Sequence, residues 1–221
     1  IFPMNQQWNE VYKKEGKVFK KLQSNIPEIA AIFRKNNIRK ILDLGCGYGR
    51  HVIYFAKRGF DVSGIDISKE GIKITNSWLK KENLKADLKI GDIYKKLPYP
   101  DNSFDAVIAT GVIDHNEIQN IRKMILELRR VLRPNGLIFI VTAKRKFKSK
   151  NQIIILKFVD QRTRCKFIAP RTCVPLEGEQ KGLIHYSFNK ESLKKEFKNF
   201  ENNIWLSSNK RHYLLLGKLK S

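Results

Sequence analysis

The sequence feature that most constrains the fold is a short apolar run that ends in closely spaced glycines. Residues 40–44 read Lys-Ile-Leu-Asp-Leu, and Gly45, Gly47 and Gly49 follow at once. A short apolar run of this kind is typical of a buried strand in a parallel sheet. Glycines allow the backbone to turn sharply and to approach a ligand closely. We therefore expect a buried strand whose carboxyl end carries a ligand-binding loop.

Strand patterns and helix patterns alternate after this loop, which indicates an α/β fold with a parallel sheet. Right-handed crossovers then bring every strand-to-helix loop to the same edge of that sheet. The predicted helices are residues 8–14, 26–36, 51–58, 69–81, 118–132 and 192–200. The predicted strands are residues 40–44, 61–66, 88–91, 104–110 and 137–141, with a closing hairpin at 203–206 and 212–217.

The spacing of the glycines and carboxylates favours a ligand without a phosphate group. A dinucleotide fingerprint needs its third glycine five residues after the first, where this chain has Arg50. Asp43, two residues before the first glycine, would repel a phosphate and attract an ammonium group. Asp66 ends the second predicted strand, where a carboxylate can accept hydrogen bonds from ribose hydroxyls.

A third acidic position completes this pattern after residues 88–91. Asp92 could accept a hydrogen bond from an adenine amino group, while Ile93 packs on the ring. An ordinary surface aspartate is the alternative interpretation of Asp92. Together the glycines and carboxylates indicate a ligand with adenosine at one end and an amino acid at the other.

Five ordered motifs make the chain resemble the class I S-adenosylmethionine-dependent methyltransferases over about residues 38–143. The matching stretches are residues 41–49, 64–68, 91–93, 104–110 and 131–136. The resemblance implies a Rossmann-like, doubly wound and mostly parallel seven-stranded sheet with an antiparallel last strand and helices on both faces. Residues 185–188, His-Tyr-Ser-Phe, resemble a substrate-side segment of the type-11, small-molecule branch. Asn135 departs from the family, which usually has a glycine there, and should change only a turn.

The resemblance implies a set of cofactor-binding residues at the carboxyl edge of the sheet. The cofactor would be S-adenosyl-L-methionine, and its product S-adenosyl-L-homocysteine. The residues expected to bind it are Asp43, Gly45, Cys46, Gly47, Gly49, Asp66, Ile67, Asp92, Ile93 and Thr110. A small residue that fills a tight loop is the favoured interpretation of Cys46, ahead of thiol chemistry.

Candidate residues for the methyl acceptor are more widely spread. His115 and His185 are candidate proton acceptors, with structural roles as the alternative for each. Trp8 and Tyr12 lie one helical turn apart and form either a lid over the cofactor or ordinary core. The remaining candidates for contact with the substrate are Tyr186, Arg162, Arg164 and Arg171.

The net charge of +23 has two interpretations. A nucleic acid or another polyanion is one possible cause. A lysine-rich composition is the other, because 31 of the 44 basic residues are lysine. The charge is concentrated in residues 144–221, which hold 19 basic and 6 acidic residues.

Composition also limits the compartment and the kind of site. The longest stretch without Asp, Glu, Lys or Arg has ten residues, residues 134–143, so we expect no membrane span. Three cysteines and no signal pattern at the N-terminus lead us to expect a cytoplasmic protein. Cys165 and Cys173 lack a histidine or a third cysteine at metal-binding spacing, so we predict no metal site.

The sequence predicts one domain in four parts. These are a helical lid at residues 1–37, a cofactor-binding core at 38–143, a substrate-side insert at 144–188, and a final helix with the closing hairpin at 189–221. The favoured function is transfer of a methyl group to a small, anionic acceptor by a monomer or homodimer. Methylation of RNA through the basic surface of residues 144–171 is the alternative, and a non-catalytic cofactor-binding module is a third interpretation.

We predict that NADH does not bind, because the acidic Asp43 precedes the glycine loop and Arg50 replaces the third glycine of the dinucleotide fingerprint. Isothermal titration of NADH and of S-adenosylmethionine against the same protein sample checks this. Tight NADH binding would contradict this interpretation of the glycine loop.

Overall fold

A computed structural model describes residues 4–16, 21–145, 153–158, 161–178 and 180–220 of the chain. Within these ranges the helices are α1 (Met4–Glu15), α2 (Ile26–Lys35), α3 (Arg50–Ala56), α4 (Lys69–Lys81), α5 (Ile118–Val131) and α6 (Lys190–Glu196). The strands are β1 (Lys40–Leu44), β2 (Asp61–Asp66), β3 (Asp87–Ile90), β4 (Phe104–Thr110), β5 (Leu132–Ala143), β6 (Ile153–Phe158), β7 (Gln161–Ala169), β8 (Thr172–Pro175), β9 (His185–Tyr186), β10 (Phe200–Leu206) and β11 (His212–Leu219). No helix in the described ranges has both the length and the apolar character needed to cross a bilayer.

Seven strands form the main sheet in the order β10-β11-β5-β4-β1-β2-β3. Strands β1 to β5 pair in parallel, whereas β11 is antiparallel to both of its neighbours, β5 and β10. This confirms the expected Rossmann-like sheet with an antiparallel last strand. The order reverses between β1 and β4, and ligands of open α/β sheets bind at such a point.

Helices cover both faces of this sheet, as expected for a doubly wound fold. One face packs α5 and α6 on the strands through residues such as Met124, Leu128 and Phe197. The opposite face packs α2, α3 and α4 through residues such as Phe33 and Phe55. Because both faces are buried, the central strands are mostly apolar, which is why β1 and β4 could be recognised in the sequence.

Most strand and helix bounds differ from the predicted ones by one to a few residues. Strand β3 runs one residue earlier than predicted. Helix α6 was expected at 192–200 but begins at Lys190, because the side chains of Asn189 and Ser192 form a capping box at its start. The predicted turn at residues 134–136 lies inside β5 as a bulge, where Asn135 has a φ of 63°.

The largest departure from the sequence-based description is the insert, residues 144–188. The sequence has no clear period there, yet the structure forms a second, antiparallel sheet in the order β6-β7-β8-β9. Burial in β7 alternates: Thr163 and Cys165 are buried, while Arg164 and Lys166 are exposed. The buried positions are Thr and Cys rather than strongly apolar residues, so the period was hard to recognise. Residues 146–152, which include Lys146, Lys148 and Lys150, lie outside the described residues.

Asp105 joins the starts of β1 and β4. Its Oδ2 accepts hydrogen bonds from the backbone N–H groups of Arg39 at 2.9 Å and Lys40 at 2.8 Å, and its Oδ1 pairs with Arg133. Burial tends to raise the pKa of this carboxyl, but the backbone hydrogen bonds and Arg133 outweigh it and lower the pKa. The carboxylate therefore stabilises the folded chain in its ionised form.

We predict that Asp105→Ala lowers the free energy of unfolding by about 1–3 kcal/mol, because two backbone donors and a guanidinium lose a charged acceptor. The loss is present at neutral pH and fades below about pH 4, since the folded pKa lies below the usual aspartate value. Urea unfolding at several pH values measures it, with exposed Glu201→Ala as the control. An equal loss at acid and neutral pH would contradict the assigned role.

Candidate functional site

The glycine loop after β1 adopts a conformation that side chains rarely allow. Gly45, Gly47 and Gly49 have φ values of 72°, 56° and 85°. A Cβ on Gly47 would lie 2.5 Å from the Tyr12 hydroxyl oxygen. The loop thus needs glycine both for its backbone angles and for the close approach of α1.

Asp66 at the end of β2 fixes this loop in place. Its Oδ2 accepts a hydrogen bond from the Gly47 N–H at 2.8 Å, and its Oδ1 accepts one from the Ser68 N–H at 2.8 Å. Burial raises the pKa of the Asp66 carboxyl to about 6, against the lowering effect of these two bonds. A carboxylate offers about four lone-pair sites, so two remain for a ligand's hydroxyl groups.

Asp43 lies behind the loop, at 1% exposure. Burial raises the pKa of its carboxyl to about 7, Arg50 opposes this rise, and the Asp66 charge adds to it. Its Oδ2 has no hydrogen-bond partner among the described residues. A cationic ligand group near the loop would relieve the repulsion between these two buried carboxylates.

Asp92 and Ile93 follow β3 and form one wall of the site. The Oδ1 of Asp92 accepts a hydrogen bond from the Tyr94 N–H at 2.9 Å, which fixes the turn. The Tyr94 hydroxyl donates to the Val112 carbonyl oxygen at 2.8 Å and so joins this wall to the end of β4.

These elements enclose the cofactor cavity, a cleft of about 730 Å³ including its open mouth. It is lined by Trp8, Tyr12, Gly45, Cys46, Gly47, Tyr48, Arg50, His51, Asp66, Ile67, Asp92, Ile93, Tyr94, Thr110, Gly111, Val112 and His115. The structure therefore brings together all the predicted cofactor residues except Asp43 and Gly49. Gly49 instead precedes α3, and a Cβ there would collide with the side chain of Thr75.

The polar lining of this cavity is mostly uncharged. Burial, followed by the nearby Asp66 and Asp43, raises the pKa of the Cys46 thiol well above its usual range, so the thiol stays protonated. This supports the interpretation of Cys46 as a small loop residue. The Thr110 hydroxyl lies 3.2 Å from His51 Nδ1, and burial holds the pKa of His51 well below its usual range.

A second cavity adjoins the first. Trp8, Arg50, Thr110, Gly111 and His115 line both cavities. The second cavity is also lined by Gln23, Asp114, Val141, Ala143, Lys144, Arg145, Gln180, Asn209, Arg211 and His212. It lies beyond the ends of β4, β5 and the start of β11, so a molecule held there would meet a ligand in the cofactor cavity at Gly111 and His115.

His115 stands at the junction of the two cavities. Its Nε2 lies 3.1 Å from the Gly111 carbonyl oxygen, which assigns the ring proton to Nε2 and leaves Nδ1 as a hydrogen-bond acceptor. Burial lowers the pKa of His115, while Asp114 opposes this and Arg145 adds to it, so the ring is neutral at pH 7. His185 contacts His115 at 4.7 Å between ring centroids but lies behind it and lines neither cavity.

A buried ion pair connects the insert to the core beside His115. Arg145 Nη1 lies 2.6 Å from Asp114 Oδ2, with the two side chains 9% and 2% exposed. Burial alone would raise the pKa of Asp114, but Arg145 holds it below its usual range. The Tyr186 N–H donates to the Asp114 carbonyl oxygen at 2.8 Å, so the same loop also anchors β9.

The other predicted substrate residues are not gathered at the second cavity. Tyr12 lines the cofactor cavity, and Tyr186 is buried against Phe188 at 4.8 Å between ring centroids. Arg164 pairs with Glu177 at 3.2 Å, and Arg171 donates from Nε to the Ser187 carbonyl oxygen at 2.7 Å. The side chain of Arg162 lies outside the described residues.

These positions correct the expected acceptor contacts, because Tyr186, Arg164 and Arg171 bind other parts of the insert. Several lining residues were missed, among them Tyr94, Val112, Lys144 and Arg211. Arg211 and Lys144 become neighbours only because β11 inserts beside β5. Their separation of 67 positions leaves no local signal in the sequence.

Comparison with known proteins identifies the domain. Residues 41–136 match the family described as a methyltransferase domain. An S-adenosylmethionine-dependent methyltransferase from Clostridium acetobutylicum has the same fold, with a TM-score of 0.67 at 14% identity over 98% of this chain and 99% of that one. Residues 41–136 are therefore similar to a methyltransferase domain.

Two further comparisons extend this result. The ubiquinone biosynthesis O-methyltransferase of Rickettsia typhi is 30% identical over 165 residues, which cover 64% of this chain and 65% of that one. The amino pentose methyltransferase CalS10 from Micromonospora echinaspora, whose structure contains S-adenosylmethionine, matches with a TM-score of 0.68 at 16% identity over 100% of this chain and 98% of that one. The chain spans only between 26% and 65% of the length of the curated relatives it matches.

The cofactor cavity of the methyltransferase domain suits S-adenosylmethionine. Asp66 has lone pairs left for the ribose hydroxyls, and Ile93 and Tyr94 offer apolar surface for a purine. Asp43 lies behind the glycine loop and outside the cavity lining, and its negative charge suits an amino acid end that carries an ammonium group. Among the described residues, no three His, Cys, Asp or Glu side chains are grouped so as to hold a metal ion.

We predict that Asp66→Ala weakens the binding of S-adenosylhomocysteine by roughly 1–3 kcal/mol, because the ribose hydroxyls lose their charged acceptor. Isothermal titration measures the affinity, and a thermal melt of each sample separates this effect from unfolding. Asp61→Ala, an exposed change at the start of the same strand, serves as the control. Equal affinities of Asp66→Ala and the native chain would remove Asp66 from the cofactor site.

Proposed function

We propose that this chain is an S-adenosylmethionine-dependent methyltransferase that acts on a small molecule. The observation that carries the proposal is the junction of two cavities at Gly111 and His115. One cavity suits the cofactor, and the other leaves room for an acceptor directly beside it. The methyltransferase domain and the O-methyltransferase relative support the same reaction class.

S-adenosylmethionine would supply a methyl group that the adjacent sulfonium already activates for displacement. The contribution of the chain is then binding and alignment rather than strong acid or base chemistry. The glycine loop would hold the amino acid end of the cofactor, and Asp66 with the wall at Asp92 and Tyr94 would hold the adenosine end. An acceptor in the second cavity would lie beside Gly111 and His115, where the two cavities meet.

Helix α1 supports this alignment by covering the cofactor cavity. Trp8 and Tyr12 line it, and the Asn9 side chain accepts hydrogen bonds from Ser68 Oγ at 2.8 Å and from the Glu70 N–H at 3.2 Å. Gln7 Nε2 donates to the Lys181 carbonyl oxygen at 2.8 Å and so connects α1 with the insert. We infer that α1, rather than all of residues 1–37, acts as a lid, because α2 packs on the sheet. Residues 144–188 would act as an acceptor-side cap, and the two together would exclude water.

His115 is the side chain best suited to receive a proton from an acceptor at this junction. Its lowered pKa keeps the ring neutral, and Nδ1 carries the available lone pair. A hydroxyl acceptor needs such a base, whereas an amine or thiolate does not. His185 lies farther from the junction and would act only through His115.

Two other functions remain outcomes of the experiment. RNA methylation would use the basic surface of residues 144–171, and a non-catalytic module would bind the cofactor without transferring its methyl group. The enclosure of the second cavity by Trp8, Gln180 and Asn209 favours a small acceptor over a polymer.

The proposal predicts methyl transfer from isotope-labelled S-adenosylmethionine to a low-molecular-mass product when the protein is incubated with cell extract. Mass spectrometry of small metabolites and of RNA detects the acceptor class. His115→Ala should reduce the rate more than it weakens S-adenosylhomocysteine binding, and the exposed Glu201→Ala is the control. Label only in RNA would overturn the small-molecule proposal, and tight cofactor binding with no labelled product in any fraction would favour the non-catalytic module.

A further inference from the structure

The second cavity has an unusual balance of charge for a site beside a cationic sulfonium. Four basic residues, Arg50, Lys144, Arg145 and Arg211, are among the described residues that line it, against one acidic residue, Asp114. A cationic molecule would meet repulsion from both the cavity and the cofactor. The charge of this cavity therefore favours an acceptor that carries an anionic group.

The positions of the four cations along the two cavities locate the anion site. Arg145 is neutralised by its buried ion pair with Asp114. Arg50 stands on the cofactor side, where its Nη1 donates to the Lys21 carbonyl oxygen at 3.0 Å. Lys144 and Arg211 line the second cavity and do not line the cofactor cavity.

The topology of the sheet joins Lys144 to Arg211. Lys144 directly follows β5, Arg211 directly precedes β11, and the Lys144 N–H donates to the Arg211 carbonyl oxygen at 2.8 Å. The Lys144 side chain also lies over the ring of Tyr213, with Nζ 5.9 Å from the ring centroid, so packing supports its position. The two cations thus belong to one rigid sheet edge.

The pairing of β4, β5 and β11 indicates how long the acceptor is. Thr110 at the junction pairs with Val141, and Ala143 pairs with His212, so the cavity extends across β4, β5 and β11. Adjacent strands lie about 4.8 Å apart, so two spacings separate the junction from the far strand by on the order of 10 Å. An acceptor that reaches both ends has its reactive atom and its charge separated by a similar length.

We propose that the second cavity binds a ring-sized acceptor by a carboxylate or phosphate held against Lys144 and Arg211, with its reactive atom at Gly111 and His115. This inference rests on the proposed function for the identity of the reaction. The sequence-based expectation was Arg162, Arg164 and Arg171; Arg164 and Arg171 bind within the insert, and the side chain of Arg162 lies outside the described residues. Arginine binds such oxyanions bidentately, and lysine adds a point charge.

Binding of two small probes to the protein saturated with S-adenosylhomocysteine tests the proposal. Phenyl phosphate carries the anion on a ring, and benzylamine is a cation of similar size. We expect phenyl phosphate to bind and benzylamine not to bind in isothermal titration. The Lys144→Ala/Arg211→Ala variant should weaken phenyl phosphate about tenfold or more, equivalent to about 1.4 kcal/mol, while its melting temperature and its S-adenosylhomocysteine affinity stay unchanged.

The matched control is Arg39→Ala/Lys80→Ala, which removes the same charge from exposed positions and should bind phenyl phosphate like the native chain. Equal binding by both double variants, no phenyl phosphate binding, or tighter benzylamine binding would each overturn the anion site. If a short RNA displaced phenyl phosphate, and if its binding weakened steeply with salt, the acceptor would be a nucleic acid rather than a small molecule. If the native protein did not bind S-adenosylhomocysteine, the proposed function would be wrong. Titration of phenyl phosphate in the absence of S-adenosylhomocysteine would then still test the anion site at Lys144 and Arg211.

Discussion

The structure of the site depends on one buried carboxylate. Asp66 accepts hydrogen bonds from the backbone of the glycine loop after β1 and from the start of the turn before α4. Removing this charge from water is unfavourable, and the raised pKa records that cost. The two backbone donors offset it and fix two neighbouring strand ends relative to each other. The shape of the cofactor cavity therefore depends on the Asp66 carboxylate and on the two backbone N–H groups that donate hydrogen bonds to it.

The acceptor side is organised by a second buried charge. Asp114 pairs with Arg145 and also receives the N–H of Tyr186 through its carbonyl oxygen. These contacts connect the end of β4 to the beginning and the end of the insert. An ion pair this deeply buried destabilises strongly if one partner is lost. The position of the second cavity beside His115 is consequently as well defined as that of the cofactor cavity.

Much of the core was predictable because local sequence and global fold agree there. The runs at β1, β2 and β4 are apolar on both faces, and Gly45, Gly47 and the carboxylate of Asp66 follow them at the expected strand ends. A strand end fixes where a side chain lies in a parallel sheet, so most of the predicted cofactor residues meet in one cavity. The position of Asp43 behind the loop was not predictable, since the depth of a residue depends on what packs over it.

The sequence by itself determined the parallel α/β core, the glycine loop and the carboxylates that follow its strands, because each of these is set by short-range patterns in β1, β2 and β4. Only the tertiary structure decided the second sheet of the insert and which basic residues line the second cavity. Arg164 and Arg171 form pairs within the insert, whereas Lys144 and Arg211 meet because the antiparallel β11 lies beside β5. Long-range strand pairing leaves no periodic trace in the chain, and charge alone does not say which face of the protein a side chain occupies.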